Sequence, residues 1–439
     1  MTTLTFLAAP GGTLRGCLRV PGDKSISHRA IMLGALAEGV TTITGFLEGE
    51  DCLATLRAFR AMGVCIEGPV QGRVTVRGAG LQGLSAPDGP LDMGNSGTSM
   101  RLMAGILAGQ AFDTVLTGDI SLTRRPMRRV TEPLARMGAR IETTETGSAP
   151  LRIHGGQRLT GIDYPLPVAS AQIKSCLLLA GLYAEGDTRV TEPAPTRDHT
   201  ERMLEGFGYP LRREGERTVM LAGGGRLAGT EIDVPADLSS AAFFLVGASI
   251  APGSDLVMEH VGLNPTRTGA IEILRRMGAD IEILNARLAG GEPVADLRVR
   301  YAPLRGIRIP EALVPLAIDE FPALFVAAAC AEGVTVLTGA EELRVKESDR
   351  IQVMADGLNA LGIAAEPTPD GIVIQGGALS GGTVKSHGDH RIAMSFAMAA
   401  LRAAGPITIQ DCANVNTSFP GFVALAWNAG LAIQEREMA

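Results

Sequence analysis

Stretches rich in Ala, Leu, Met and Gly alternate along the chain with short clusters of polar and basic residues, and the alternation recurs about every 70 to 85 residues. Each copy opens on a small or polar cluster and runs into an apolar helix, then a β-branched strand. A second polar cluster, a second helix and a closing Gly follow before another strand. In the first copy Ser25-Ile26-Ser27-His28-Arg29 opens a helix that Ala37-Glu38-Gly39 ends, and residues 40–45 form a strand. Residues 51–62 read as an amphipathic helix closed by Gly63, with the next strand at residues 64–67. The closing glycine recurs as Gly138, Gly208, Gly278, Gly362 and Gly430, where a left-handed helix C-cap requires it. The strand recurs at residues 332–339, and six copies are predicted.

A six-unit solenoid is disfavoured, since the copies are longer than most solenoid repeats and share no exposed face. Two clusters of three fit better. The similar segments Val20-Pro21-Gly22-Asp23 and Val234-Pro235-Ala236-Asp237 mark the crossings. They predict one α/β domain over residues 21–235 and a second, discontinuous one over 1–20 plus 236–439. The helices at residues 240–251 and 321–331 are Ala-rich on all faces and predicted to be buried all round. Their first N–H groups then need a cap or an anion.

Composition narrows the function. The 439 residues are 46% hydrophobic and 20% charged, as in soluble globular proteins, with 55 glycines but no collagen-like period. A net charge of -7 and 4% aromatics argue against nucleic-acid and membrane-surface binding. No apolar run is long enough to span a bilayer, and residues 1–12 lack the basic stretch of a secretory signal, so a soluble cytoplasmic protein is expected. The six cysteines are scattered singly and read as reduced core fillers. His154, His199 and His260 lack metal-ligand spacing, and no metal is expected.

The polar clusters carry the candidate chemistry. At the first helix starts stand Asp23-Lys24-Ser25 with Arg29, Asn95-Ser96-Gly97-Thr98 with Arg101, Ser170-Ala171-Gln172 with Lys174, Asp319-Glu320, and Asp389-His390-Arg391. The second helices are announced by Thr123-Arg124-Arg125-Pro126, Thr196-Arg197-Asp198-His199, Thr266-Arg267 and Arg344-Val345-Lys346-Glu347-Ser348-Asp349-Arg350. Ser, Thr, Asp and Asn there are ordinary N-caps, Ser348-Asp349 among them. Arg and Lys are disfavoured at helix starts, so their recurrence points to sites for phosphate and carboxylate. Two tempting motifs fail. Gly22-Asp23-Lys24-Ser25 lacks the glycines of a P-loop, and Gly223-Gly224-Gly225 leads into a strand rather than the helix that a dinucleotide site needs. No cofactor is indicated.

Pro21-Gly22-Asp23-Lys24-Ser25-Ile26-Ser27-His28-Arg29, Gly94-Asn95-Ser96-Gly97-Thr98, Arg125-Pro126-Met127, Ser170-Ala171-Gln172-Ile173-Lys174-Ser175, Thr196-Arg197-Asp198-His199-Thr200-Glu201, the string from Arg344 to Arg350, and Asp389-His390-Arg391 closely resemble the 5-enolpyruvylshikimate-3-phosphate synthases. The likeness runs in order over nearly the full chain. It implies the two-domain enolpyruvyl transferase fold, each domain an inside-out α/β barrel of three βαβαββ repeats, closing on an active site in the interdomain cleft. It also implies transfer of enolpyruvyl from phosphoenolpyruvate to the 5-hydroxyl of shikimate 3-phosphate, on the route to chorismate and aromatic amino acids.

By that resemblance Lys24, Arg125, Arg350 and Arg391 hold phosphoenolpyruvate, with Asn95, Gly97, Gln172 and His390 beside them. Ser25, Arg29, Ser170, Ala171, Gln172 and Arg197 hold shikimate 3-phosphate, with Lys24, Asp319 and Lys346 also in contact. Glu347 is expected to deliver the proton to the methylene carbon and Asp319 to take one from the hydroxyl, with Lys24 and Lys346 as the catalytic cations. Glyphosate is an expected inhibitor, Gly97 standing where some insensitive members carry Ala, and a monomer is expected. In the last repeat Asn416-Thr417-Ser418-Phe419-Pro420 lacks the Lys many members carry. With Ala171 in place of a second Ser, that places the likeness nearer the second, more divergent class. The sister transferase acting on UDP-N-acetylglucosamine normally has Asn after the first Lys and a reactive loop Cys. Ser25 and the lack of such a Cys weigh against it. A non-catalytic anion-binding repeat protein would not need Asp319 and Glu347 beside the cations.

Overall fold

The computed structural model describes residues 3–438. Its sheets are explained by the repeat. In the second copy Leu91–Asp92 pairs in parallel with Thr114–Thr117, which pairs antiparallel with Leu151–His154, itself antiparallel to Arg140–Glu142. With helices Gly97–Ala108 and Arg128–Arg136 in between, this is one βαβαββ unit. The third copy repeats it with Asp163–Pro165, Asp187–Thr191, Thr218–Ala222 and Arg212–Glu214. Among the described residues there are six sheets, one per copy.

Three copies borrow a strand from a distant part of the chain. Glu231–Asp233 runs parallel to Glu38–Thr44 and completes the first sheet. Arg15–Leu18 runs parallel to Asp255–Gly262 in the fourth, and Thr3–Ala8 lies between Ile407–Gln410 and Ile433–Met438 in the sixth. The chain accordingly divides into two compact units: Met1–Pro21, Pro235–Leu288 and Pro293–Ala439 form one, Gly22–Val234 and Ala289–Glu292 the other. Each has its own apolar core and three of the six sheets.

Twelve helices of eight or more residues occur among the described residues, two per copy. In the Gly22–Val234 unit they are α1 (Lys24–Leu36), α2 (Glu50–Ala61), α3 (Gly97–Ala108), α4 (Arg128–Arg136), α5 (Ala171–Gly181) and α6 (His199–Gly206). In the other unit they are α7 (Leu238–Ile250), α8 (Gly269–Arg276), α9 (Phe321–Ala329), α10 (Arg350–Ala360), α11 (His390–Ala399) and α12 (Phe422–Ala429). The first helix of each pair is enclosed. Every residue of α7, α9 and α11 is buried. The second of each pair ends at one of the six predicted glycines, all with φ between +80° and +117°.

Three of the six cysteines depart from the expected core role: Cys17 and Cys65 are exposed and Cys330 is half-buried, while Cys52, Cys176 and Cys412 are buried. Cys17 and Cys65 sit on strands at outward positions of the pleat, which an isolated cysteine in a sequence does not reveal.

Helices this rich in small residues approach closely. A Cβ on Gly105 of α3 would stand 2.2 Å from the Cys176 carbonyl oxygen of α5. Gly105→Ala should therefore destabilise the protein by about 1–3 kcal/mol, as overpacking does. Gly206, the last residue of α6, has open space around its Cβ position and an ordinary φ. Gly206→Ala should leave stability unchanged or raise it by about 0.4–1 kcal/mol. Urea midpoints of the two variants check both.

Candidate active site

In the Gly22–Val234 unit the buried helices reach the surface only at their first turn. Lys24 and Ser25 are the residues of α1 outside the buried set, Thr98 is that of α3, and Ala171 and Gln172 are those of α5. Their caps are Asp23, Ser96 and Ser170, which accept from the N–H groups of Ile26, Ser99 and Ile173 at 2.9, 3.1 and 3.4 Å. Capping uses an acceptor lone pair of Ser170 and leaves its O–H for a ligand, so the capping and binding readings are compatible.

The cations here are held by acceptors. Lys24 Nζ is 3.0 Å from Asp51 Oδ2. Arg29 is 4% exposed; its Nε donates to Thr200 Oγ1 at 2.7 Å, its Nη2 to Ser175 Oγ at 2.9 Å and its Nη1 to the Ser25 carbonyl. Burial pulls the Arg29 guanidinium down to about 10, against the pull of Glu201, so it stays charged at neutral pH. Arg125 Nη2 donates to Asn95 Oδ1 at 2.8 Å, and Asn95 Nδ2 to Asp119. Gln172 accepts from Arg101 Nη1 and donates to Thr98. Arg197 lies near enough to Arg29 for their charges to repel.

The other unit supplies the carboxylates. Arg350, fully buried at the start of α10, donates from Nε to Asp389 at 2.8 Å, from Nη1 to Asp319 at 3.3 Å and from Nη2 to Glu347 at 2.5 Å. Burial alone would lower its pKa, but the three carboxylates outweigh it and raise it. Lys346 Nζ stands 3.6 Å from the same Asp319 oxygen. Arg391 Nη1 donates to the Asp319 carbonyl at 3.0 Å, and Asp389 caps α11 through the Arg391 N–H. His390 is buried beside them. Asp237 caps α7 and ion-pairs Arg267 at 2.9 Å; Arg267 in turn donates to Ser239, which is bonded to Glu320.

The structure thus gathers Lys24, Ser25, Arg29, Asn95, Gly97, Arg125, Ser170, Ala171, Gln172 and Arg197 in one unit and Asp319, Lys346, Glu347, Arg350, His390 and Arg391 in the other. Arg350, expected to hold phosphoenolpyruvate, here bonds the protein's own carboxylates Asp319, Glu347 and Asp389. Sequence reasoning missed Asp51, whose only signal is a first-turn position in α2, and the charge-bearing role of Asp389. Among the described residues no helix is long and apolar enough to cross a membrane. None of their His, Cys, Asp and Glu side chains cluster so as to hold a metal ion.

Known proteins are similar to this chain over nearly its whole length. The family model described as EPSP synthase (3-phosphoshikimate 1-carboxyvinyltransferase) matches residues 8–425. The 3-phosphoshikimate 1-carboxyvinyltransferase of Methylococcus capsulatus is 73% identical over 431 residues, 98% of either chain. That of Alkalilimnicola ehrlichii is 74% identical over 431 residues, 98% of this chain and 96% of the relative. The solved EPSP synthase of Acinetobacter baumannii superposes with a TM-score of 0.89 at 61% identity, over 99% of this chain and 100% of that one. The enolpyruvyl transferase NikO of Streptomyces tendae, at a TM-score of 0.79 and 17% identity over both full chains, shares the fold.

Lys174 departs from the anion-site expectation. It is 1% exposed, with Nζ 2.9 Å from Glu192 and 2.7 Å from Glu201, and Thr196 bonds Glu192 as well. Arg267 is likewise enclosed by its partners, and Arg344 is taken up by Asp349 and two carbonyls. Lys174→Met would leave two carboxylates buried without their cation, and should cost about 3–5 kcal/mol. The charged carboxylates are the species that is costly to bury without a cation, so the loss grows as pH increases. Urea denaturation at pH 5 and pH 8 should show the larger deficit at pH 8.

Proposed function

Since the chain belongs to the EPSP synthase family, we propose that these two groups of residues carry its reaction, the transfer of enolpyruvyl from phosphoenolpyruvate to the 5-hydroxyl of shikimate 3-phosphate with release of phosphate. Both substrates are anions whose phosphates and carboxylates repel, and fixed cations lower the cost of bringing them together. In this reading Ser25, Arg29, Ser170, Ala171, Gln172 and Arg197 take shikimate 3-phosphate. Lys24, Asn95, Gly97, Arg125, Gln172, Arg350, His390 and Arg391 take phosphoenolpyruvate.

The observation that carries the assignment of chemistry is Arg350 holding Asp319 and Glu347 at once. Addition needs a base for the attacking hydroxyl and an acid for the methylene carbon, within reach of one another's substrates. Asp319, steadied by Lys346 and Arg350, takes the hydroxyl proton, and the oxygen bonds to C2 of phosphoenolpyruvate. Glu347 gives its proton to C3. A carboxylate bonded to a guanidinium must exchange that bond for a proton before it can act as an acid. Phosphoenolpyruvate, competing for Arg350, makes that exchange possible. The tetrahedral ketal then loses phosphate as the Glu347 carboxylate takes a proton back from C3, and Lys24, Lys346 and Arg391 stabilise the charge that develops. The protein is proposed to work as a cytoplasmic monomer.

Phosphate release with both substrates present, and none with either alone, is the direct test. Asp319→Asn and Glu347→Gln should each lower kcat about 10²–10⁴-fold while changing substrate affinity little. Steady-state kinetics with near-normal kcat in both would overturn the assignment.

Gly97 tests the phosphoenolpyruvate side. A Cβ there would stand 3.0 Å from an Arg101 nitrogen and 3.1 Å from an Arg125 nitrogen, so the methyl presses on two guanidinium tips rather than on backbone. We propose that glyphosate competes with phosphoenolpyruvate, and that Gly97→Ala crowds the longer inhibitor more than the substrate. The inhibition constant should rise by a larger factor than the KM for phosphoenolpyruvate, read from inhibition curves at several substrate concentrations. Equal factors would sink the steric argument.

A further inference from the structure

His28 lies one turn along α1 from Lys24 and Ser25, wholly inside the Gly22–Val234 unit at 0% exposure. Its ring joins a circuit of hydroxyls. Nδ1 is 2.8 Å from Thr55 Oγ1 of α2, and Thr55 Oγ1 is 2.6 Å from Ser99 Oγ of α3. Ser99 Oγ donates to Ser96 Oγ at 2.7 Å, and Ser96 Oγ stands 3.5 Å from His28 Nε2. Each hydroxyl can donate one hydrogen bond and accept another, and a neutral imidazole does the same. With Ser99 donating to Ser96, the protons run one way round. His28 Nδ1–H goes to Thr55, Thr55 O–H to Ser99, Ser99 O–H to Ser96, and Ser96 O–H back to Nε2. A second proton on the ring would set N–H against O–H at the last step. Burial, with Lys24 and Arg29 close by, pushes the imidazole pKa well down, in keeping with a neutral ring.

Ser96 is also the cap of α3, between Asn95 and Gly97. The circuit therefore ties the residues that open α3 to the helix that carries Lys24 and Ser25, with α2 as the third side. Shape-filling apolar groups would pack these helices as well but would leave their axial and rotational setting softer, because dispersion is not directional and hydrogen bonds are. We propose that His28 is a positioning residue that locks the start of α3 to the start of α1, and so sets Asn95 and Gly97 in register with Lys24 and Ser25. The inference rests on the reading that Asn95, Gly97 and Arg125 take phosphoenolpyruvate.

His28→Phe keeps the ring's shape and removes its hydrogen bonds, and Ser99→Ala opens the same circuit from α3. Each should raise the KM for phosphoenolpyruvate about tenfold, of the order expected for a broken buried hydrogen bond, while the KM for shikimate 3-phosphate stays within about twofold. The double variant should lose no more than either single one, since both break one circuit. A general packing defect would instead move both KM values together, or neither, and either result overturns the proposal, as would additive losses. Asn95→Ala, measured alongside, separates the two levels. If it leaves the KM for phosphoenolpyruvate unchanged, the site reading fails and this inference with it. If it raises that KM while the His28 and Ser99 variants do not, the positioning role alone is wrong. Should His28→Phe not fold, Ser99→Ala and ¹⁵N NMR of the wild-type imidazole still decide. A neutral Nδ1–H ring at pH 7 is expected, and a protonated ring there would overturn the circuit.

Discussion

A helix enclosed along its length leaves its first N–H groups little water to meet, and this chain has six such helices. Each unmet donor would cost as much as a lost buried hydrogen bond, so side chains must supply the acceptors. Asp23, Ser96, Ser170, Asp237 and Asp389 do so for five of the six. A carboxylate or hydroxyl that accepts from one N–H still has bonding capacity. Asp389 uses its remainder on Arg350, Asp237 on Arg267, and Ser96 on the circuit through His28. The polar structure of both units grows outward from these caps.

Enclosure also dictates composition. A helix with neighbours all round can carry only small or apolar side chains, and where two backbones meet it must carry glycine. Gly105 against the Cys176 carbonyl is such a meeting. The same enclosure confines chemistry to the first turn, the one part of α1, α3 and α5 that escapes burial. Lys24, Ser25, Thr98 and Gln172 stand there at the positive end of the helix dipole, which favours anions.

Charge is divided between the units in a way that suits an addition-elimination on two anions. The Gly22–Val234 unit supplies cations and hydroxyls around Lys24, Arg29 and Arg125, whereas the other unit sets Asp319 and Glu347 on a buried arginine with Lys346 alongside. A buried arginine that serves three carboxylates is satisfied only as a set: removing one partner changes the others. Arg350 therefore fixes Asp319 and Glu347, the base and acid proposed above, relative to one another.

The six-fold repeat, the helix pairs and their closing glycines were legible in the chain alone, because a 3.6-residue apolar period and a positive-φ C-cap are local requirements that leave local marks. Most candidate site residues were legible for the same reason, lying in short strings at helix starts such as Lys24-Ser25 and Asp389-His390-Arg391. What the sequence could not show was which cation meets solvent and which meets a carboxylate. Lys174 and Lys24 occupy equivalent-looking clusters, yet Glu192 and Glu201 close over one, while the other remains partly open beside Asp51. Those partners come from other elements, as do the strands at residues 3–8, 15–18 and 231–233 that complete distant sheets. Local pattern decides what forms, and only the packed chain decides what each charge finds next to it, because that depends on long-range contacts that no nearby residue specifies.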